Sequence, residues 1–242
     1  MSAEGLNSEQ VDLLEALVNE ASYFNDRNDE RPCDENAAMQ LIENYLRPHL
    51  KHTQDGKTTG VLDDLWMKAT EGGRNNVFVR KGTGTDVVLW LTGHVDTVRI
   101  DEARGKDMKF GKEGDMMTGP GVGDMKEGIA GMMDVFVRVP VPPHMTVIGA
   151  FLADEEINSK GADLLVELQR EDPKRLPSPD CIFSPEIPTP VEQVNSDIIP
   201  ITAARRGHLK YYGDIAVPKG HGSLGQDAAN AIEEYADLLI HL

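Results

Sequence analysis

The order of apolar and polar residues along the chain predicts alternating helices and strands. Near the N-terminus, apolar residues recur at helical spacing in two segments, one capped by Ser8 and the other by Asp34. Further runs have the composition of short or buried strands: 61–68, 76–80, 87–91, 145–152 and 181–183. Helical spacing returns at 126–137 and 159–169, whereas the charged, glycine-containing segment 101–118 is expected to be a long loop.

From residue 87 onward strands and helices alternate, which is typical of an α/β sheet with helices on both faces. Ligands of such sheets bind at the carboxyl ends of the strands. The pattern changes near residue 204, where a half-buried strand at 209–217 and an amphipathic helix at 227–239 are predicted. We therefore place a domain boundary there, between 1–203 and 204–242.

Composition narrows the classes of function. The formal net charge is −17, from 41 acidic and 24 basic residues, and such a surface repels phosphate backbones, so nucleic acid is not expected as a partner. The two cysteines, Cys33 and Cys181, provide neither a disulfide framework nor a cysteine zinc cluster. The sequence shows no secretory signal and no apolar run of membrane-spanning length, and a cytoplasmic location without a membrane partner is expected.

A first polar cluster, Gly-His-Val-Asp at 93–96, directly follows the apolar strand 87–91. Residues two apart in an extended segment share one face. Asp96 can therefore accept a hydrogen bond from one ring nitrogen of His94 and leave the other nitrogen for a metal ion. Taken alone, a His-x-Asp pair is more commonly an ordinary surface or hydrogen-bonded histidine.

A second cluster, Gly-Pro-Gly-Val-Gly-Asp-Met-Lys at 119–126, leads into a predicted helix, so that Asp124 lies at a helix N-terminus. Its glycines allow a tight turn. Asp124 could be a plain N-cap, or the turn could cradle a phosphate. This sequence does not match the dinucleotide-binding pattern G-x-G-x-x-G. It does not match the P-loop pattern either, since Lys126 is followed by Glu127 and not by Ser or Thr. A nucleotide site is therefore disfavoured.

Acidic residues follow two further strands. Asp154, Glu155 and Glu156 come after the apolar run 145–152, and their mutual repulsion favours a bound cation. Because adjacent side chains point in different directions, one acid could bind metal while its neighbour faces a substrate water. A solvated acidic loop is the commoner fate of such a run. Glu186 follows the strand 181–183 and carries no signal by itself.

Taken together and in this order, the clusters resemble the zinc exopeptidases and deacylases that include glutamate carboxypeptidase, acetylornithine deacetylase, succinyl-diaminopimelate desuccinylase and aminoacylase. Three motifs carry the resemblance: Gly-His-Val-Asp-Thr-Val at 93–98, the glycine-rich Asp-Met-Lys segment at 119–126, and Asp-Glu-Glu-Ile at 154–157. The resemblance implies a mixed, mainly parallel sheet with helices on both faces, in which 1–203 is the N-terminal part of a catalytic domain.

The resemblance also implies metal ligands. His94 and Glu186 would bind one zinc ion, Glu156 would bind the other, and Asp124 would bridge the two. Cobalt or manganese are possible substitutes. The peptide bond between Asp124 and Met125 would be cis. Nitrogen and oxygen ligands with an open position suit a catalytic rather than a structural zinc.

The implied activity is hydrolysis of a peptide or N-acyl amide bond next to a free carboxylate. Asp96 would orient His94, and Glu155 would be the general base. Residues 204–242 resemble the start of an inserted lid or dimerisation domain, so a homodimer is expected. His221 would then stabilise an oxyanion in the partner's active site, although an exposed loop histidine is about equally expected.

One further histidine ligand of the family has no counterpart before Leu242, and the second zinc would keep only Asp124 and Glu156. We therefore expect the chain to be truncated relative to the family. Two functions remain open at this point. The chain is either part of a zinc hydrolase acting on small peptides or N-acyl amino acids, or a non-catalytic remnant or half of a split enzyme that binds metal or a partner chain.

Overall fold

The computed structural model describes residues 8–23, 35–98, 109–114 and 116–186. Several predictions lie outside these residues: the boundary near 204, the strand at 209–217, the helix at 227–239 and the role of His221.

Four helices and nine strands are formed by the described residues. The helices are α1 (Ser8–Asn19), α2 (Glu35–Leu46), α3 (Glu127–Arg138) and α4 (Lys160–Glu171). The strands are β1 (His52–Gln54), β2 (Lys57–Thr59), β3 (Asp64–Ala69), β4 (Asn75–Lys81), β5 (Val87–His94), β6 (Gly111–Glu113), β7 (Met116–Thr118), β8 (Met145–Leu152) and β9 (Cys181–Phe183). A short 3-10 helix, Arg47–His49, follows α2.

The central sheet is mixed and has the strand order β3-β4-β8-β5-β9. Strand β4 pairs antiparallel with β3 and with β8, whereas β5 pairs parallel with β8 and β9. Helices cover both faces of the sheet, as predicted. Side chains alternate between the two faces along β4, so Val77 and Val79 pack in a core with α1, α2 and α3. Phe78 points to the other face and packs in a second core with Leu165 of α4.

The expectation of a long loop at 101–118 was wrong for its described C-terminal part, which forms the hairpin β6–β7. The hairpin β1–β2 was missed as well. These strands have three residues each and mostly exposed side chains, so they carry no apolar alternation. The turn of β1–β2 did carry a signal: Asp55 and Gly56 have φ of 50° and 74°, as expected for an Asp-Gly hairpin turn.

An apolar cavity of about 570 Å³ lies between α3 and the sheet, lined by residues that include Leu91, Met132, Phe136 and Phe183. Glu127, the first residue of α3, also lines it, and its Oε1 atom is buried without a hydrogen-bond partner among the described residues. Burial raises the pKa of Glu127 to about 7. The folded state therefore holds this proton more tightly than the unfolded state does.

Glu127→Gln is expected to stabilise the protein at pH 8 more than at pH 5. Between about pH 4.5 and 7 the unfolded chain ionises Glu127 before the folded chain does, so the wild type loses stability as the pH rises through this range. Glutamine does not titrate, and the gain should reach on the order of 2 kcal/mol at pH 8. Urea unfolding at both pH values measures it, with the exposed Glu167→Gln as control. An equal effect at pH 5 and pH 8 would contradict this explanation.

Candidate metal and catalytic site

The carboxyl ends of β5, β8 and β9 meet at one edge of the sheet, because these three strands are parallel. His94 is the last residue of β5, and the acidic residues 154–156 begin two residues after β8. Glu186 lies three residues beyond β9. The predicted location of the site, beyond the carboxyl ends of the strands, therefore rests on the parallel half of the sheet.

His94 is buried and has both ring nitrogens engaged. Its Nδ1 lies 3.0 Å from the backbone carbonyl oxygen of Asp96 and 3.4 Å from the Asp96 carboxylate. A carbonyl oxygen only accepts, so Nδ1 carries a proton. The other nitrogen, Nε2, lies 3.0 Å from Oδ1 of Asp124. The predicted contact between Asp96 and His94 is thus present, and Nε2 faces the acidic cluster.

The charges around His94 favour a cation. Burial opposes a charge on His94, but its hydrogen bonds to Asp124 and Asp96 outweigh burial and raise its pKa to about 11. Burial, and then the charge of Asp124, raise the pKa of Glu156. Without a metal ion the imidazolium of His94 itself balances the nearby carboxylates. A metal ion that binds Nε2 must displace its proton.

The ligand atoms of His94, Asp124 and Glu156 all lie within 4.8 Å of one another. One imidazole nitrogen and two carboxylate oxygens form a donor set that fits zinc and similar divalent ions. Glu155 is beside this group, with Oε2 at 4.0 Å from Nε2 of His94 and its side chain about half exposed. Glu186 is partly exposed and is not a member of the three-residue group that the described residues form.

Asp124 lies in a turn of π-type hydrogen bonding, Val122–Lys126, that precedes α3, rather than at the N-cap of that helix. Its peptide bond to Met125 is cis, as predicted. Gly121 adopts a φ of 72°, which a glycine reaches without strain. Met125 is buried under the turn, and its Sδ accepts a hydrogen bond from the backbone N–H of His94. This contact fixes the turn against the end of β5.

Sequence reasoning missed part of the role of Asp96 and all of the role of Lys126. The Asp96 carboxylate also accepts the backbone N–H groups of Glu155, at 3.0 Å, and Glu156, at 2.9 Å. Hydrogen bonds to His94 and to these N–H groups outweigh burial and keep the pKa of Asp96 below its usual value. One carboxylate thereby ties the histidine to the acidic turn.

Lys126 is buried and donates from Nζ to the carbonyl oxygens of Leu17, at 2.8 Å, and Glu20, at 2.9 Å. These bonds attach the turn that carries Asp124 to the C-terminal end of α1. Burial lowers the pKa of Lys126 to about 8. A positive charge at the N-terminus of a helix is unfavourable for the helix dipole. This unfavourable position was the signal in the sequence that could have identified Lys126 as a residue with a structural role.

Comparisons with known proteins agree with this geometry. The model of peptidase family M20/M25/M40 matches residues 90–236, which is more than half of the chain. The chain belongs to this peptidase family. Acetylornithine deacetylase of Proteus mirabilis is 31% identical over 211 residues, which are 85% of this chain and 47% of that protein. The same enzyme of Salmonella paratyphi B is 29% identical over 73% of this chain and 43% of its own length.

Among solved structures, the M20 family metallo-carboxypeptidase Sso-CP2 of Sulfolobus solfataricus shares the fold, with a TM-score of 0.53 and 15% identity over 74% of this chain and 37% of that one. The chain thus spans less than half the length of these M20 relatives. None of the described helices has the length and apolar character that a bilayer crossing requires.

Proposed function

We propose that this chain forms the metal-binding part of an M20 hydrolase that cleaves a peptide or N-acyl amide bond next to a free carboxylate. The observation that supports it most is the convergence of His94, Asp124 and Glu156, with Glu155 beside them, at the carboxyl ends of parallel strands. The names of the relatives, deacetylase and carboxypeptidase, both denote hydrolysis of an amide bond.

The described residues fit a divalent cation by their donor set, and a cation held there would polarise the scissile carbonyl and acidify an adjacent water. Asp96 fixes the ring of His94 through Nδ1, so that Nε2 is presented to the cation. Glu155 is half-exposed beside the group and is suited to take a proton from the attacking water at its carboxylate.

The proposed ions are zinc, and Asp124 would be a ligand shared by two zinc sites. We assign Glu186 with His94 to one ion and Glu156 to the other, as the family resemblance implies. The proximity of a Glu156 carboxylate oxygen to the ligand atoms of His94 and Asp124 supports its assignment as a ligand. The proposed substrates are small peptides or N-acyl amino acids such as N-acetylornithine, the substrate class named for the relatives. A cytoplasmic homodimer completes the proposal.

Glu155→Gln is expected to lower kcat by about 10²- to 10⁴-fold, the usual contribution of a general base. Because Glu155 is not a proposed ligand, Glu155→Gln should still bind Co²⁺. Hydrolysis of N-acetylornithine, N-acyl amino acids and dipeptides, measured with added Zn²⁺ or Co²⁺, tests the prediction, and Glu167→Gln, on the exposed face of α4, is the control.

A wild-type rate that Glu155→Gln leaves unchanged would refute the role of Glu155. A chain that binds Co²⁺ but hydrolyses none of these substrates would favour the alternative function, a non-catalytic chain that binds metal or a partner chain. The two results are separated by measuring Co²⁺ binding and turnover on the same preparation.

A further inference from the structure

The turn that carries Glu155 and Glu156 donates three consecutive backbone N–H groups to two buried carboxylates. Asp96 accepts the N–H groups of Glu155 and Glu156. The N–H of Asp154 goes instead to Oε2 of Glu35, at 2.9 Å. The second carboxylate is thus supplied by the first residue of α2, 119 positions earlier in the chain.

Arg74 joins this carboxylate to the turn from a third segment. Its Nε lies 3.3 Å from Oε1 of Glu35, and its Nη1 donates to Oδ1 of Asp154. The side chains of Glu35 and Asp154 are 3% and 2% exposed, whereas that of Arg74 is 24% exposed. Both carboxylates are therefore buried, and removing a partner of a buried charge is costly. The Glu35 carboxylate is therefore linked to Asp154 in two ways. It accepts the backbone N–H of Asp154, and Arg74 bridges it to the Asp154 side chain.

Asp154 needs such support because its backbone has a φ of 63°, a left-handed conformation that is unfavourable for a residue other than glycine. The turn then continues with the Ser159 N–H donating to the Asp154 carbonyl at 2.6 Å. A shift of Asp154 would be passed to Glu155 and Glu156, the next two residues in the chain. Ligand positions in metal sites depend strongly on such supporting contacts.

We propose that Glu35, acting with Arg74, is a positioning residue that holds the 154–156 turn so that Glu156 and Glu155 face His94 and Asp124. This inference rests on the proposed function of the site and extends it to α2. Glu35 makes none of the contacts that define the three-residue group, and its hydrogen bond reaches the acidic turn at Asp154.

Helix α2 supplies a matched control. Glu43 is also a buried glutamate of this helix, but its partners are close in the chain. It accepts a hydrogen bond from Gln40, one turn earlier, and pairs with Arg47, one turn later. Glu43→Gln should therefore disturb a buried carboxylate of α2 without touching the acidic turn. Glu35→Gln keeps the shape of the side chain, but its amide cannot satisfy both Arg74 and the Asp154 N–H.

The test uses the full chain at pH 8, where Glu35 is ionised, since burial and the charge of Asp96 raise its pKa to about 7. Two readouts are compared for wild type, Glu35→Gln and Glu43→Gln: Co²⁺ affinity with its visible absorption spectrum, and amide hydrogen exchange of the 154–156 turn. Glu35→Gln should weaken Co²⁺ binding by about 10- to 100-fold, alter the spectrum and speed exchange in the turn. Glu43→Gln should leave all three unchanged, and Glu35→Asp should restore part of the affinity.

Unchanged exchange in the turn of Glu35→Gln would overturn the inference, and so would faster exchange with an unaltered Co²⁺ affinity and spectrum. Equal effects of the two glutamine variants would also overturn it, because the effect would then be general destabilisation. The exchange readout needs no bound metal. A wild type that binds no Co²⁺ would count against the proposed function, while exchange still decides whether Glu35 holds the turn.

Discussion

Asp124→Ala is expected to lower the affinity for Zn²⁺ or Co²⁺ by at least about 100-fold, beyond what is usual for residues that only support ligands. The Asp124 carboxylate lies 3.0 Å from Nε2 of His94, the ring nitrogen that faces the proposed metal ion, and the Asp124 side chain is 57% exposed. It also belongs, with Glu156, to the group whose ligand atoms lie within 4.8 Å. Removing it leaves two of the three donors and, in the proposed two-zinc site, removes the bridge between the ions.

Competition with a chromophoric chelator measures this affinity. Asp163→Ala removes an exposed aspartate of α4 and should bind metal like the wild type. Because Asp124 accepts a hydrogen bond from the buried His94, its loss should also lower the free energy of unfolding of the metal-free chain by about 1–3 kcal/mol. An Asp124→Ala variant with wild-type affinity would show that the ion is held elsewhere.

Asp96→Ala is expected to lower the free energy of unfolding by about 3–5 kcal/mol, a large part of the usual stability of a domain. The Asp96 side chain is 1% exposed. Its loss leaves the part-buried N–H groups of Glu155 and Glu156 without their acceptor, and each unmet donor costs up to about 1–3 kcal/mol. The ring of His94 loses a carboxylate partner as well.

Urea unfolding of the metal-free chain tests this prediction. Asp64→Ala is the control, since it removes a part-exposed aspartate that pairs with Arg175 far along the chain, and it should cost about 1 kcal/mol or less. Metal affinity should fall in Asp96→Ala and stay unchanged in Asp64→Ala. A loss of stability no greater than that of the control would mean that the acidic turn does not depend on Asp96.

The sequence predicts best those features that depend on a local pattern. The run 145–152 is apolar except for Thr146, as is typical of a strand buried on both faces, and β8 has the predicted bounds. His94 and Asp96 are two residues apart at a strand end, so their contact follows from strand geometry. The exposed hairpins β1–β2 and β6–β7 were missed because their residues bury little apolar surface.

Features that depend on distant partners were not predictable from the sequence. Lys126 bonds to carbonyl groups of α1 more than 100 residues away, and Glu35 accepts the N–H of Asp154 from 119 residues away. The neighbouring sequence carries no signal for the Glu35 contact, and for Lys126 it carries only the unfavourable position of a lysine at the start of a helix. The grouping of Glu156 with His94 was expected from the family resemblance and not from the local pattern, because it depends on how β8 lies beside β5.

Anomalous diffraction at the zinc edge, from crystals of the zinc-loaded chain, tests the central claim most directly. We predict a peak at about 2.0–2.2 Å from Nε2 of His94 and from a carboxylate oxygen of Asp124. The third protein ligand decides the assignment of the glutamates. Glu186 is expected if it shares an ion with His94, as proposed, whereas Glu156 would reverse that assignment. Zinc bound only at other residues, or no peak between His94 and Asp124 in fully loaded protein, would contradict the account.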